Sequence, residues 1–259
     1  MKEKIINIFR VITYYPRKIF DKLLFSFFLS GSNNWELLEE YFNGPILIVG
    51  NGPSLNKTPL DEVNMVSIGM NKINLLYERT SWRPDMIVCT NGLVIDQNKD
   101  FFNSTDTPLF FPVKAYYLGI KNRKNVFFLN LVDEPGVNKN IEKKISSGCT
   151  VTYLALQIAA YLDAKEVNIV GVDHSFIYQG KDQEIKKMEG DDVNHFSKDY
   201  FKGQYWGNPN LDGSEILYHI SKDYFEKRGI GITDYTGEGK LQVFKKGDIN
   251  DIISKSKDA

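Results

Sequence analysis

The sequence predicts an α/β protein: a mostly parallel sheet flanked by helices, with a lid-like insertion and an amphipathic helical segment at the N-terminus. Three observations carry this. Residues 46–49 (ILIV), 65–69 (MVSIG), 86–90 (MIVCT) and 167–170 (VNIV) are short, largely apolar runs without strict alternation, as strands covered on both faces require. Glycine or asparagine follows each of them within two residues, which brings polar groups together along one edge of the sheet. Residues 149–162 (CTVTYLALQIAAYL) form an apolar run without Gly or Pro, long enough for a core helix between strands.

The bulk properties suit this class. A chain of 259 residues fits one α/β domain, taken here as residues 44–259, preceded by a helical segment over residues 1–43. Hydrophobic content of 42% and charged content of 25% are ordinary for a globular protein. A net charge of −1 and no Lys/Arg-rich block leave no nucleic-acid partner to expect. Cys89 and Cys149 lie on or beside apolar segments and read as buried thiols of a reducing compartment rather than a disulfide.

Taken in order, the first element departs from that average. Residues 1–29 carry six Lys/Arg against two acidic residues amid many Ile, Leu, Phe and Tyr. The charges come too often for a membrane span, and no clean apolar core precedes a small-residue cleavage site. Ile5, Ile6, Phe9 and Ile12, then Ile19, Phe20, Leu23, Leu24, Phe27 and Phe28 beyond Pro16, predict two amphipathic pieces. Such a face fits an anionic membrane surface, the protein's own core or a sister subunit.

After the Ser30-Gly31-Ser32-Asn33-Asn34 break, residues 35–42 read as a short helix leading into the first strand. Strands follow at residues 65–69 and 86–90, with weaker candidates at 108–112 and 126–129. Ser146-Ser147-Gly148 supplies cap candidates for the helix at 149–162, and the strand at 167–170 ends in Gly171-Val172-Asp173-His174. Residues 178–213 are polar, aromatic and aperiodic, which predicts a lid. A helix over 214–227, a last strand over 230–234 and a turn at 236–239 complete the chain.

The first strand end is the most informative stretch. Gly50-Asn51-Gly52-Pro53-Ser54-Leu55 allows a sharp turn that would bring backbone N–H groups close to an anion, with Ser54 as a candidate cap. It is neither a GxxxxGK[ST] loop nor a GxGxxG loop, because the lysine and the third glycine are missing.

On these residues the chain, from about residue 44 to 252, resembles two related bacterial groups. One is the 6-hydroxymethylpterin pyrophosphokinase-like family, which includes the motility-accessory factors. The other is the family 42 bacterial sialyltransferases. The resemblance rests on GNGPSL at 50–55, Asn71, Ser146-Ser147-Gly148, the strand end at Gly171-Val172-Asp173 and the closing DYTGEGKL at 234–241. It implies a variant Rossmann-type fold binding a nucleotide or nucleotide sugar through Gly50, Asn51, Gly52, Pro53, Ser54, Asn71, Asn91, Ser147, Gly148 and Asp173. The relatives carry arginine where this chain has Lys144, which cannot make the same bidentate fork.

Inverting transfer from a nucleotide sugar needs a general base for the acceptor hydroxyl, donors for the leaving phosphate, and a means of holding the acceptor in line. The chain has three histidines. His195 lies in the lid near a serine and a lysine, similar to the base of the sialyltransferases apart from the intervening Phe196. His174, at a strand end, is the other candidate, and His219 reads as structural. Tyr178 is the candidate donor to the leaving phosphate by the same resemblance, while Tyr200, Tyr205 and Trp206 are candidate walls for an acceptor sugar. Asp173, Asp191 and Asp192 would hold Mg²⁺ only under a pyrophosphokinase reading; otherwise no metal is expected and Asp191-Asp192 is a solvated loop. The resulting expectation is a cytoplasmic glycosyltransferase, with a peripheral contact at the inner membrane face or a homo-oligomer contact through its N-terminus. It would need no cofactor, and would move a sugar, such as a nonulosonic acid from a CMP donor, to a surface glycan or its precursor. The alternative is a Mg-dependent pyrophosphokinase acting on a pterin-like alcohol with ATP.

Overall fold

The computed structural model describes residues 13–257. The first amphipathic piece, with Ile5, Ile6, Phe9 and Ile12, lies outside the described residues. The second forms helix α1 (Tyr14–Leu24), with Pro16 in the first turn, where its missing N–H has no helical partner to lose. One π-helical turn, Phe25–Leu29, continues it. Asn33 then binds both the N–H and the C=O of Phe128, at 2.9 Å each, so its side-chain amide covers part of an exposed strand edge. The short helix predicted at 35–42 is a 3₁₀ helix, Trp35–Tyr41.

The strands are β1 (Pro45–Val49), β2 (Val66–Met70), β3 (Met86–Val88), β4 (Leu109–Pro112), β5 (Val126–Leu129), β6 (Leu131–Val132), β7 (Ile145–Ser146), β8 (Glu166–Val170), β9 (Ile185–Lys187), β10 (Tyr205–Gly207), β11 (Ile232–Asp234) and β12 (Lys245–Lys246). Among them run α2 (Gly92–Gln97), α3 (Lys99–Ser104), α4 (Lys114–Tyr117), α5 (Val151–Tyr161), α6 (Leu211–Glu226) and α7 (Ile249–Lys257). Eight strands make one sheet in the order β12-β11-β8-β1-β2-β3-β4-β5. Each of its pairings is parallel, so the expected α/β class holds. The last predicted strand is not the last: β12 pairs beyond β11 at the sheet edge.

The apolar runs are two-faced, as their composition requires. Ile46 and Ile48 of β1 join a core with Phe110, Phe127 and α5, while Leu47 and Val49 join the opposite core with Phe25, Leu29 and Phe102. Helix α5 is buried all round from Thr152 to Ala160, and its one buried amide, Gln157, is matched to backbone: Oε1 accepts from Ser146 N (3.0 Å) and Nε2 donates to Ser146 O (2.9 Å). Its cap is not the predicted serine pair. Thr150 Oγ1 accepts from Thr152 N at 3.3 Å, and Ser146 belongs to β7.

The predicted lid at 178–213 is partly ordered by a two-stranded antiparallel ribbon of β9 and β10. Phe196, Tyr200, Phe201 and Trp206 from this segment sit in the second core. Of the two thiols, Cys89 is buried as expected, whereas Cys149 is exposed beside the start of α5; neither is in a disulfide. Among the described residues no helix is long and apolar enough to cross a membrane.

Candidate functional site

Strand β1 pairs with β2 on one side and β8 on the other, and the chain progresses outward from this pair in both directions. In open parallel sheets the crevice at the carboxyl ends of such a reversal is where ligands bind. The loops meeting there follow β1 (Gly50 to Ser54), β2 (Asn71, Lys72) and β8 (Gly171 to His174).

The glycines of the first loop permit close approach. Gly50 N donates to Val170 O at 2.8 Å and Gly52 N to Gly171 O at 2.9 Å, carrying the β1–β8 ladder past the strand ends. A Cβ on residue 50 would lie 2.1 Å from Gly171 O, and one on residue 52 only 1.8 Å from Asp173 Oδ2. The two N–H groups that the sequence aimed at an anion are therefore engaged by carbonyls. Ser54 does not cap the following 3₁₀ turn, Pro53–Lys57, whose cap is Gly52. Instead, Asp173 Oδ1 accepts from Ser54 N (3.0 Å) and Oδ2 from Ser54 Oγ (2.7 Å), so the chain supplies its own carboxylate at that turn.

Asn51 and Asn71 face this crevice differently. Asn51 Nδ2 donates to Met70 O at 3.1 Å, which orients the amide and leaves Oδ1 buried without a partner. Asn71 adopts a left-handed backbone (φ 52°), a conformation asparagine tolerates, and its Oδ1 is likewise buried without a partner. An unpaired buried acceptor costs about 1–3 kcal/mol. Two of them, on adjacent loops at the switch point, are what a ligand with N–H or O–H donors would satisfy.

The lid closes over these loops through long-range contacts. Phe196 N donates to Asn51 O at 2.9 Å. Lys72, beside Asn71, is only 4% exposed, and its Nζ donates to Tyr200 O (2.7 Å) and Gln204 Oε1 (2.6 Å). Its Nζ also lies 4.7 Å from the centre of the Phe201 ring. Burial brings its pKa down from 10.5 to about 8. Tyr200 Oη accepts from Lys72 N at 3.0 Å, and burial holds that phenol well above its ordinary pKa.

His195 stacks flat on Tyr200, with ring centres 4.1 Å apart and an interplanar angle of 9°. Its Nδ1 lies 2.8 Å from Asp192 Oδ2, while Asp192 Oδ1 accepts from Asn194 N at 2.8 Å. A buried carboxylate on Nδ1 holds the proton there, leaves Nε2 as the basic nitrogen, and fixes the ring plane. Asp191-Asp192 is thus not simply a solvated loop: Asp191 is exposed and pairs with Lys202 at 2.7 Å, but Asp192 is buried. The Asp-x-x-His spacing was visible in the sequence; the burial that gives it meaning was not.

His174 sits across the β8 loop with a left-handed backbone (φ 52°), its Nε2 3.0 Å from Glu215 Oε1 of α6. Ser147 Oγ donates to Asp133 Oδ1 at 2.9 Å, and Gly148 packs where a Cβ would meet Leu217 at 2.5 Å. Lys144, in the place of the relatives' arginine, pairs with Glu134 at 3.0 Å. Asn91 caps α2, its Oδ1 accepting from Leu93 N at 3.0 Å. Tyr178 lies out on the lid, where its hydroxyl donates to Asp182 at 3.0 Å, a hydrogen bond that raises its pKa. His219 is exposed on α6. The described residues thus bring Asn51, Asn71 and His195 into one stitched group with Lys72, Tyr200 and Asp192. Gly148 and His174 meet α6, Ser147 is held by Asp133, and Asn91 and Tyr178 keep partners of their own.

Comparison with known proteins agrees with the fold. The solved MAf glycosyltransferase from Magnetospirillum magneticum AMB-1 is similar with a TM-score of 0.50 at 14% identity, over 89% of this chain and 41% of that one. This chain therefore spans less than half of that protein, and at such identity the likeness is one of fold. No curated protein matches in sequence. The family model described as "6-hydroxymethylpterin diphosphokinase MptE-like" matches residues 25–179, more than half of the chain and a stretch that includes all three loops of the switch point. With strands β1 to β8 and the three switch-point loops inside that match, the chain belongs to the MptE-like family.

Proposed function

We propose that this chain is an inverting glycosyltransferase that binds a nucleotide sugar at the β1/β8 crevice. The observation that carries the reading is the pair of buried, unpartnered amide oxygens on Asn51 and Asn71. Both are acceptors, so they call for ligand donors: the amino group of a base such as cytosine, or ribose hydroxyls. Phosphate oxygens would not satisfy them, and Asp173 already occupies the turn at Ser54. The donor is then a CMP-activated sugar of the nonulosonic acid type, and the acceptor a hydroxyl of a bacterial surface glycan or its precursor. His195 Nε2 removes the acceptor proton as the new C–O bond forms and the bond from the anomeric carbon to the phosphate oxygen breaks. Asp192 holds the imidazole through Nδ1 and balances the imidazolium. The fold likeness to a protein described as a glycosyltransferase supports the same reaction class.

The family description supplies the second reading, diphosphoryl transfer from ATP. The three acids that would hold Mg²⁺ for it are engaged separately: Asp173 by Ser54, Asp191 by Lys202, and Asp192 by His195. Calorimetric titration with CMP, CDP, UDP, GDP and ATP, each with and without Mg²⁺, separates the two. Metal-independent binding of CMP, weakened in Asn51→Ala, is expected. Preference for ATP with Mg²⁺ would overturn the transfer reading.

A further inference from the structure

Helix α1 is inside out. None of its residues is buried, yet polar side chains of one face turn toward the protein: Lys18 Nζ reaches Asp133 Oδ1 at 2.6 Å and Leu131 O at 3.3 Å, and Tyr14 donates to Asp133 Oδ2 at 2.7 Å, while Lys22 stays exposed. Asp21 also turns inward, with Oδ1 buried, and burial raises its pKa. The outward face, with the π-helical turn, carries Tyr15, Ile19, Phe20, Leu23, Phe27 and Phe28, each 52–76% exposed. A helix packed for water alone would show the opposite pattern. So many large apolar side chains on one exposed face mark a surface that something covers.

Charge decides what covers it. Residues 1–29 carry six basic and two acidic side chains, a net of +4, in a protein whose total is −1. Beside the stripe, a cleft of about 600 Å³ is lined by Lys18, Ile19, Lys22, Lys143 and Lys144. Its two acids pair with two of those lysines, Asp133 with Lys18 and Glu134 with Lys144, which leaves Lys22 and Lys143 as the surplus positive charge of the rim. A two-fold contact between copies would set this basic rim against itself. An anionic bilayer complements both parts, accepting the aromatic and aliphatic side chains at the acyl boundary and the lysines at the phosphates.

We infer that α1 and its π-helical turn form an interfacial anchor that docks the protein on an anionic lipid surface. Asp133, which receives Lys18 and Tyr14 from α1, also accepts from Ser147 Oγ, so the docked helix is one hydrogen bond from the Ser147 loop. The inference is independent of the transferase reading, because lipid binding requires no nucleotide.

The test is co-sedimentation of the full chain with vesicles of phosphatidylcholine alone and of phosphatidylcholine mixed with phosphatidylglycerol. Binding is expected on the mixed vesicles, weakened by salt, and lowered at least about tenfold by Ile19→Glu or by Phe27→Glu. Both positions are exposed, so unchanged circular dichroism and melting would certify the fold. Lys22→Glu with Lys143→Glu should weaken binding without altering the apolar stripe. No sedimentation with either vesicle, or binding indifferent to these substitutions, would overturn the anchor. So would a dimer in analytical ultracentrifugation that Ile19→Glu dissociates, since the stripe would then belong to a second copy.

Discussion

Lys72→Met tests whether the lid is latched by a buried cation. The substitution keeps an unbranched side chain of similar bulk and removes the ammonium group that donates to Tyr200 O and Gln204 Oε1. In the folded protein, desolvation brings the Lys72 pKa from 10.5 down to about 8, opposed by the nearby Cys89 and Asp192. The sign follows from linkage. Below about pH 8 the amine is protonated in both states, and the folded state bears the whole penalty of burying it. Between about pH 8 and 10.5 the unfolded chain holds a proton the folded one has released, so wild-type stability rises with pH. Above 10.5 both states are neutral and the penalty is gone. At about 1.4 kcal/mol per pH unit the window is worth at most about 3 kcal/mol, and solvent screening reduces it to about 2 kcal/mol. Burial raises the Cys89 thiol and the Tyr14, Tyr41 and Tyr77 phenols to about 12, which lowers stability above pH 9 to 10. The phenol contributions are common to both proteins and cancel in the difference, whereas that of Cys89, which lies near Lys72, cancels only in part. Urea denaturation at pH 7 and near pH 10.5 should therefore show the stability gap between wild type and Lys72→Met widening by about 2 kcal/mol in favour of the wild type. Because Phe196, Tyr200 and Phe201 sit in the core, lid and domain should unfold together. A gap that stays constant with pH would mean that Lys72 titrates as an exposed amine, and the latch would be refuted.

Three further outcomes follow from the same geometry. Gly52→Ala places a Cβ against Asp173 Oδ2 and should lower unfolding stability by about 1–3 kcal/mol; combined with Asp173→Ala, the losses should be less than additive. Asp192→Asn should leave melting nearly unchanged but lower kcat of the proposed sugar transfer about 10²–10⁴-fold at constant nucleotide affinity, because the amide no longer fixes the His195 proton on Nδ1; an equal loss of nucleotide binding would instead mark Asp192 as structural. Thr150→Ala removes the 3.3 Å cap of α5 and should cost about 1 kcal/mol, seen as a Tm lower by about 2–4 °C.

How much of this was legible in the sequence depends on the range of the forces involved. Strand β1 and the core helix α5 were readable because four successive apolar residues, or eleven without a breaker, leave a pattern that local sequence carries. The two-residue strands β6, β7 and β12 and the four- to six-residue helices α2, α3 and α4 are shorter than any period that could announce them. They exist because neighbouring elements hold them. Among the site residues, Asn51 and Asn71 were marked by their places after strand ends, where topology gathers polar groups. Their unpartnered oxygens were not, because burial is a property of packing.

By itself, the sequence determined the α/β class, the strand ends that would bear polar groups, and the candidacy of His195. Only the tertiary structure decided that Gly50 and Gly52 serve close packing against the β8 loop, and that Asp173 occupies the turn read as an anion site. It also set a buried lysine under the lid and turned the apolar face of α1 outward. The reason is distance along the chain: Ser54 meets Asp173 across 119 residues and Lys72 meets Tyr200 across 128. Local pattern records which residues prefer a strand or a turn, whereas the partner of a buried polar group is chosen by whatever the fold brings beside it.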